Sequence, residues 1–414
     1  MSIDQFPGIA VTGLGAVTPL GLDVPTTWQA LLAGDSGIRP GTFRMTGGEA
    51  VPAFAAGSLP GDPADLLPRV EARRLDRSQQ MAVAAAQEAW RDAGTPTADP
   101  ERVAVSIGTG IGGVGTLLHE DDVLEASGPR RVSPRTVPML MPNGASAAVS
   151  IALDAQAGVY TPVSACSSGA EALAWGARLI RAGEADVVIA GGTEAPITPI
   201  TVVSFQQTRA LASPADPVAD SSRPFAADRG GFVLAEGAAV VVLESLAHAR
   251  ARGARVLAIL AGAGIAADAH HMTAPRPDGA GQIRAMRVAL RQAGLGPEDI
   301  SHVNAHATGT SLGDAAEAGA IRDVLGRARV TATKAATGHL FGAAGAIEAI
   351  FSVLSLVDGV IPPTRGLAGS AVDPRIELEV VTAARTARQQ AVLSNSFGFG
   401  GQNASLVFTR AEKG

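Results

Sequence analysis

Cys166 is the only cysteine of this 414-residue chain, and small residues surround it in the segment 161–170. An extended run precedes it and a helical pattern follows from about Ser167, so the thiol faces the free N–H groups of a helix N-terminus. Those groups and the helix dipole favour thiolate over thiol, which predicts a nucleophile. The alternative is a buried structural thiol, because free cysteine often behaves as a small hydrophobic residue.

Three more segments place histidines, glycines and small polar residues after apolar runs, at 303–310, 333–340 and 395–403. Imidazoles such as His306 and His339 can donate hydrogen bonds to a developing oxyanion. Each also has a structural interpretation, His306 as a hydrogen-bonded core residue and His339 as a helix cap. The glycines beside Phe399 indicate either close approach of the backbone to a ligand or a simple turn.

The elements that must position these residues alternate along the chain. Apolar runs predict buried strands at residues 9–13, 103–108, 159–164, 187–192, 232–244, 256–265, 302–305, 330–332 and 391–395. Helical patterns lie at residues 27–32, 77–93, 145–153, 170–181, 282–293, 314–325 and 345–357. This alternation predicts parallel sheets covered by helices on both faces. Residues from about 40 to 68 and 212–220 are predicted to be surface loops.

A strand, a small-residue turn and a buried helix follow one another twice, at 159–180 and at 330–357. Cys166 lies at the first turn and His339 lies near the second. We interpret this repeat as two similar α/β halves, 1–250 with the cysteine and 251–414 with both histidines. The halves are expected to form one unit with a shared site.

Composition restricts the function. A single cysteine permits no intramolecular disulfide and no cysteine-cluster zinc site, and it fits a reducing compartment. The net charge of −6 provides no overall basic field for nucleic acid. Residues 1–8 lack a basic run typical of a secretory signal, and no apolar run of about 18 residues predicts a membrane span. We therefore expect a cytoplasmic protein that binds neither nucleic acid nor membrane.

Motifs along nearly the whole chain resemble those of the elongating type II β-ketoacyl-acyl-carrier-protein synthases and their bacterial polyketide relatives. They are VTGLGAVTPLG at 11–21, GTGIGG at 108–113, MPNG at 141–144, RPF with DR at 223–229 and GFVL at 231–234, together with the cysteine, histidine and glycine segments. The resemblance implies an α/β protein with the duplicated thiolase fold, in which sheets and helices form five layers (αβαβα). This agrees with the internal repeat.

The activity implied by the resemblance is a decarboxylating Claisen condensation, as in fatty acid elongation. Cys166 would hold the acyl chain, and malonyl-acyl-carrier-protein would extend it to a 3-oxoacyl-acyl-carrier-protein two carbons longer. His306 and His339 would donate hydrogen bonds to the malonyl thioester oxygen, and which of them handles the carboxylate is open. The backbone N–H groups of Cys166 and Phe399 would form the oxyanion hole.

Other roles follow from the same resemblance. Lys334 and Glu348 match positions close to the second histidine, with a supporting electrostatic role. Thr308 and Thr310 match hydroxyls that hold the phosphopantetheine amides, and Ile111 and Phe399 match side chains that gate the acyl pocket. We also place Thr273 and Gly400 among the substrate-binding residues.

The implied partner is acyl carrier protein, whose acidic helix would need local arginines on an acidic synthase. The arginines in matching stretches are Arg69, Arg73, Arg74, Arg130, Arg131 and Arg209, and a solvated charged surface is the alternative for each. No metal and no cofactor are expected, because substrates arrive on the phosphopantetheine of the carrier. A homodimer is expected, and a heterodimer with a chain-length partner is open.

Departures from the family pattern leave room for a specialised substrate: Gln402 replaces Thr or His, Gly230 replaces an aspartate, and Ala307 and Gly309 differ from the commonest elongating pattern. The main alternative is therefore the catalytic subunit of a type II polyketide synthase, paired with a cysteine-less chain-length partner. Other classes fit less well. A thiolase needs a second cysteine, a chain-initiating synthase has asparagine in place of the second histidine, and a cysteine hydrolase ordinarily uses one histidine.

Overall fold

Strands from both halves of the chain join in one sheet of eleven strands. The computed structural model describes residues 8–43, 50–367 and 370–411. The strands are β1 (Ile9–Val17), β2 (Ile38–Gly41), β3 (Phe54–Gly57), β4 (Val103–Gly108), β5 (Gly158–Tyr160), β6 (Val187–Glu194), β7 (Leu234–Ala235), β8 (Gly237–Ser245), β9 (Ala258–Ala267), β10 (Ile300–Asn304), β11 (Arg329–Thr331), β12 (Val360–Ile361), β13 (Glu379–Val380), β14 (Arg385–Thr386), β15 (Ala391–Gly398) and β16 (Gln402–Arg410). The helices are α1 (Val24–Ala33), α2 (Arg69–Ala72), α3 (Arg77–Asp92), α4 (Val114–Ser127), α5 (Thr136–Leu140), α6 (Gly144–Leu153), α7 (Ser168–Arg181), α8 (Pro199–Gln207), α9 (Leu246–Ala251), α10 (Ala280–Ala293), α11 (Ser311–Leu325), α12 (Lys334–Thr337) and α13 (Ala344–Asp358).

The large sheet consists of two blocks with the same strand order. The first block runs β5-β4-β6-β8-β1, and the second runs β11-β10-β15-β16-β9 with β13 added at its edge. In both blocks the first two of these pairings are parallel and the last two are antiparallel. β1 pairs with β9 and joins the blocks. The predicted duplication is therefore confirmed, whereas the division at residues 250 and 251 remains a prediction.

Helices separate the two blocks and cover their outer faces. α3 and α6 pack on the first block, and α10 and α11 pack on the second. Between the blocks lie α7, which contacts mainly β4 and β6, and α13, which contacts mainly β15. The five layers that the sequence predicts are present.

Two similar turns lead into the middle helices. A 3-10 turn at Ala165–Ser167 precedes α7, and another at Phe341–Ala343 precedes α13. Each begins with a residue of positive φ, 51° at Ala165 and 47° at Phe341, which costs a non-glycine residue about 1 kcal/mol or more. The turns pack closely, since a Cβ on Gly169 would lie 2.8 Å from the carbonyl oxygen of Gly342. Both turns are therefore fixed by tight packing around the middle layer.

Three local predictions are wrong. The sheet is mixed rather than parallel, because the strands next to the junction of the blocks run antiparallel. The strand predicted at 232–244 divides into β7 and β8, since Gly237 takes a φ of 155° and β7 joins a small separate sheet. The loop predicted from about 40 to 68 contains the fully buried strand β3, while residues 44–49 lie outside the described residues.

One helical segment, Phe341–Asp358, is long and apolar enough to cross a membrane by length and composition. In this fold 83% of that segment is buried, because it consists of the turn Phe341–Ala343 and the middle-layer helix α13. Packing between the two blocks thus accounts for its apolar sequence.

Candidate active site

Cys166 is the middle residue of the turn before α7 and is 5% exposed. Serine side chains fix this turn. The N–H of Ser164 donates to Oγ of Ser168 at 2.9 Å, and the hydroxyl of Ser167 donates to the carbonyl of Ser164 at 2.8 Å. The thiol is thus held at the N-terminal end of α7, which begins at Ser168, one residue after the predicted start.

Two backbone N–H groups converge on the thiol. The N–H of Phe399 and that of Cys166 itself lie close enough to the sulfur to lower the pKa of the thiol. Gly398 makes this approach possible, since a Cβ there would lie 2.8 Å from the carbonyl oxygen of Ser164 and 3.0 Å from the nitrogen of Cys166. A pair of N–H donors beside a nucleophile can bind the oxyanion of a tetrahedral intermediate.

Burial dominates the ionisation of this thiol. It raises the pKa of Cys166 to about 11, against the opposing effects of the Phe399 N–H and the positive charge of Lys334. The prediction that the helix N-terminus favours the thiolate is therefore not met, because desolvation by burial outweighs the neighbouring groups that lower the pKa. At neutral pH the group is a thiol, and its proton must leave when the sulfur attacks.

Two histidines of the second block meet the cysteine of the first. The Cys166 sulfur and one ring nitrogen from each of His306 and His339 lie within 4.8 Å of one another. His306 follows β10, and His339 precedes the turn that leads into α13. The duplicated fold thus brings the three predicted groups together.

Lys334 determines where the proton of His306 lies. The Nζ atom of Lys334 is 3.3 Å from Nδ1 of His306. An ammonium group only donates, so Nδ1 accepts and the neutral ring carries its proton on Nε2. Burial, followed by the charge of Lys334, places the pKa of His306 well below 6.5. His306 is therefore a neutral donor.

Lys334 also forms a buried ion pair with Glu348. Burial raises the pKa of Glu348 to about 7, and the neighbouring ammonium group opposes that rise. The prediction placed this pair beside the second histidine. The hydrogen-bond contact of Lys334 is with the first histidine, His306, to which its side chain extends from the start of α12. Burial and, after it, the charge of Lys334 lower the pKa of the second histidine, His339.

His339 lies in an aromatic setting. Its ring stacks on Phe341 with the centroids 4.8 Å apart and meets Phe232 edge-on at 5.7 Å. Neither ring nitrogen has a hydrogen-bond partner within the described part of the chain, and burial lowers the pKa of His339 well below 6.5. A neutral ring in this position has one N–H to donate and one lone pair to accept a proton.

The thiol and both imidazoles line a cavity of about 380 Å³. The other predicted residues that line it are Thr273, Thr308, Thr310, Phe399 and Arg209. Lys334 and Glu348 lie behind His306 and do not line it. The cavity is therefore lined by the reacting groups, by hydroxyls suited to polar contacts and by aromatic rings.

Ile111 and Gly400 lie outside the lining of this cavity. Ile111 is on the loop after β4 and is 36% exposed in the single chain. Gly400 lies in the Phe399–Gly401 turn with a φ of 77°, and its N–H donates to the carbonyl of Met272 at 2.7 Å. The positive φ explains the glycine at this position.

Two buried charged residues, to which the sequence assigned no individual role, fix the two threonines. Asp314 accepts the N–H of Thr308 at 3.1 Å, and Arg229 donates to the carbonyl of Thr310 at 3.2 Å. The guanidinium of Arg229 lies 3.5 Å from Asp314, and both side chains are buried. The sequence feature that could have identified Arg229 and Asp314 is the presence of charged residues within segments of small and apolar residues.

Glu317 is a second residue of this kind. Its carboxylate accepts the N–H of His306 at 2.8 Å and the side-chain amide of Asn395 at 3.2 Å. Burial raises the pKa of Glu317 to about 7. Glu317 therefore holds the backbone of a catalytic candidate.

The six predicted carrier-binding arginines are all exposed. They occur in three places: Arg69, Arg73 and Arg74 are in or directly after α2, Arg130 and Arg131 follow α4, and Arg209 lines the cavity. Arg209 is thus the one of the six that the fold brings to the candidate site.

The Cys166, His306 and His339 side chains are also ligand types that zinc accepts, and their spacing could hold an ion. The prediction of no metal stays a prediction.

The duplicated fold, the buried thiol, the neutral imidazoles and the converging N–H donors together define a thiolase-like acyl-transfer enzyme.

The chain belongs to the β-ketoacyl synthase family. Residues 7–249 match the β-ketoacyl synthase N-terminal domain, and residues 257–368 match the β-ketoacyl synthase C-terminal domain.

Related proteins match the chain along its length. It is 45% identical over 409 residues to 3-oxoacyl-[acyl-carrier-protein] synthase 2 of Mycobacterium bovis, with 98% of each protein covered. A solved β-ketoacyl synthase from Burkholderia phymatum has a TM-score of 0.88 and 34% identity, covering 98% of this chain and 100% of that one. A ketosynthase bound to a hexaketide, in complex with its type II PKS acyl-carrier protein, has a TM-score of 0.87 and 29% identity, covering 99% and 100%.

Proposed function

We propose that this enzyme is an elongating β-ketoacyl synthase of fatty acid synthesis. It condenses an acyl chain held on Cys166 with malonyl-acyl-carrier-protein and releases a 3-oxoacyl-acyl-carrier-protein two carbons longer. The meeting of the Cys166 sulfur with the ring nitrogens of His306 and His339 within 4.8 Å carries the proposal. The 45% identity to a 3-oxoacyl-[acyl-carrier-protein] synthase 2 supports the pathway.

The first step moves the acyl chain to the enzyme. The Cys166 sulfur attacks the carbonyl carbon of the acyl thioester, and the N–H groups of Cys166 and Phe399 bind the resulting oxyanion. The thiol proton passes to a ring nitrogen, for which the unpartnered His339 is available. That proton is then delivered to the departing phosphopantetheine sulfur, so the carrier leaves as a thiol.

The second step forms the carbon–carbon bond. The malonyl carboxylate leaves as CO₂, and the electron pair of the broken bond forms an enolate whose oxygen accepts N–H bonds from His306 and His339. The enolate carbon attacks the acyl carbonyl, and the C–S bond to Cys166 breaks. One proton from solvent restores the thiol, which is favoured at neutral pH because burial raises the pKa of Cys166 to about 11.

Acyl carrier protein is the proposed partner. Thr308 and Thr310 would bind the phosphopantetheine amides, and Arg209 would meet the acidic helix of the carrier beside the cavity. Both acyl groups arrive on the carrier, so we propose no dissociable cofactor. The free thiol supports a location in the reducing cytoplasm.

We also propose a homodimer formed through the edge strand β5. This strand ends the large sheet, so its outer backbone groups have no strand partner among the residues that the structure describes. Val159, Tyr160 and Val163 are exposed there, and Ile151 of α6 is 83% exposed. Exposed edge strands flanked by apolar side chains are usually covered by a partner. Val159→Glu with Val163→Glu should yield a single chain by light scattering, and an unchanged dimer mass would contradict this interface.

The reaction is tested with the purified chain and two loaded carriers. Acyl-carrier-protein alone should add one acyl group at Cys166, detected by mass spectrometry. Malonyl-carrier-protein should then release CO₂ and a product two carbons longer. The Cys166→Ala control should form neither the adduct nor that product. A wild-type enzyme that forms no adduct, or that only hydrolyses the thioester, would refute the proposal.

A second candidate is the catalytic subunit of a type II polyketide synthase. The 29% identity to a ketosynthase of that type supports it, as do the Gln402 and Gly230 departures. A fatty acid enzyme should elongate as the purified chain alone. A polyketide subunit should require a cysteine-less chain-length partner.

A further inference from the structure

Glu194 carries a buried carboxylate at the end of β6, outside the groups used in the mechanism above. Four donors surround it. The Thr109 hydroxyl donates at 2.7 Å, and the N–H groups of Gly110, Ile111 and Gly342 donate at 2.6, 3.1 and 3.0 Å. No cation pairs with it among the described residues, so these donors replace its hydration.

The duplication of the fold explains where this carboxylate lies. β6 and β15 are each the third strand in the order given for their blocks, and both have eight residues, so Glu194 corresponds to Gly398. The two three-residue turns correspond as well, which relates Cys166 to Gly342. Gly398 lies against the N–H of Cys166, and Glu194 lies against the N–H of Gly342.

The chain therefore has two equivalent turns that offer a backbone N–H to an anion. At the first turn the Cys166 N–H lies beside the thiol and is available to a substrate oxyanion. At the second turn the Gly342 N–H is occupied by the Glu194 carboxylate. A Cβ on Gly342 would lie 2.7 Å from that carboxylate, so position 342 cannot carry a side chain without displacing it.

The same carboxylate connects two segments near the reacting groups. One is the loop of Thr109, Gly110 and Ile111, which packs on the nucleophile turn, since a Cβ on Gly110 would lie 3.7 Å from the Cα of Ala165. The other is the second turn, where Phe341 stacks on His339 and lines the cavity. Holding these segments together fixes the aromatic wall next to His339.

We propose that Glu194 is a positioning residue. Its carboxylate occupies the N–H of Gly342 in the second turn and holds the Ile111 loop and the Phe341 turn in the relative position that selects acyl chain length. This role rests on the proposed function. Glu194 acts through its donors and does not line the cavity. Its negative charge lies close enough to raise the pKa of Cys166, which provides a readout independent of substrate.

Glu194→Gln tests the proposal, because the amide NH₂ would face backbone N–H groups that need an acceptor. The ratio of acylation rates of Cys166 with a long and a short acyl-carrier-protein should change by about fivefold or more. Removal of the nearby negative charge should also lower the pKa of Cys166. The pH profile of its alkylation by iodoacetamide should therefore shift to lower pH. An unchanged ratio together with an unchanged pH profile would overturn the proposal.

Glu244→Gln is the matched control. Glu244 is a buried carboxylate on β8 that pairs with Arg252 and His248 and does not line the cavity. Its loss should lower the melting temperature and leave both readouts, the acylation ratio and the alkylation profile, at wild-type values. Equal changes in both variants would overturn the proposal.

If Glu194→Gln does not fold, Glu194→Asp replaces it, because aspartate keeps the charge and shortens the side chain. This variant should change the acylation ratio alone, and a wild-type ratio would overturn the proposal. Wild-type enzyme that forms no acyl adduct would refute the proposed function instead, while the alkylation profile would still test the charge.

Discussion

The Nζ atom of Lys334 lies 3.3 Å from Nδ1 of His306, and both side chains are buried. This contact leaves the proton of His306 on the opposite ring nitrogen. Lys334, which also forms the ion pair with Glu348, therefore determines which ring nitrogen of the catalytic candidate His306 donates a hydrogen bond.

Lys334→Met should separate the stability and the catalytic effects of that link. The change leaves Glu348 buried without its partner, which costs about 3 to 5 kcal/mol of folding free energy. Adding Glu348→Gln should recover much of the unfolding free energy measured in urea. Decarboxylation should stay low in the double variant, because Nδ1 of His306 still lacks its donor. Recovery of both properties would show that Lys334 is only structural.

The two histidines are expected to act in decarboxylation, apart from the cysteine. His306→Ala and His339→Ala should each lower CO₂ release from malonyl-carrier-protein by about 10²-fold or more, while Cys166→Ala should retain part of it. His302→Gln is the control, since His302 is buried and bonds Thr331 rather than the cavity. Normal CO₂ release in the two alanine variants of the histidines would show that their assigned roles are wrong.

Iodoacetamide should add one group per chain, at Cys166, and abolish condensation. Thiolate is the reactive form and is populated above the pKa. Because burial raises the pKa of Cys166 to about 11, the alkylation rate should keep rising with pH from neutrality to at least about pH 10. Stopped assays with mass spectrometry measure this rate. A plateau near pH 8 would indicate a stabilised thiolate, contrary to the structure.

Ile111→Phe should lower elongation of acyl chains beyond roughly six to eight carbons and spare short primers, because a bulkier side chain that reaches the acyl chain across the proposed dimer interface would overpack the acyl pocket. Ile111→Ala is the control and should accept both lengths. Rates with a short and a long acyl-carrier-protein measure the effect. Equal loss on both substrates would mean that Ile111 does not gate the chain.

Arg209→Glu should raise the KM for acyl-carrier-protein more than it lowers kcat, since the residue lies at the cavity and would repel an acidic helix. The effect should shrink as salt is added. Arg91, exposed on the outer-layer helix α3, provides the control Arg91→Glu. Equal KM values for the two variants would remove Arg209 from the carrier surface.

Much of the fold and of the candidate site could be read from the sequence, because long apolar runs and small-residue turns leave clear local patterns. The helix after Cys166 is an example, and so is the helix that follows His339, whereas the strand predicted at 159–164 ends at Tyr160. Strand direction could not be read in the same way. β1 and β9 run antiparallel because of how distant parts of the chain meet, which local periodicity does not encode.

The properties that the sequence concealed depend on three-dimensional surroundings. The position of Cys166 suggested a thiolate, but burial by distant segments reverses that expectation. The Lys334 side chain meets the first histidine rather than the second. Glu194 ends an apolar run, yet its four donors come from segments far apart in the chain.

The burial of Cys166 also bears on oxidative damage. Peroxide attacks the thiolate, and susceptibility follows thiolate content and exposure. A thiol that is 5% exposed, with its pKa raised to about 11, offers little of either. The free enzyme should therefore lose activity to hydrogen peroxide slowly at neutral pH, even though its activity depends on an irreplaceable sulfur atom.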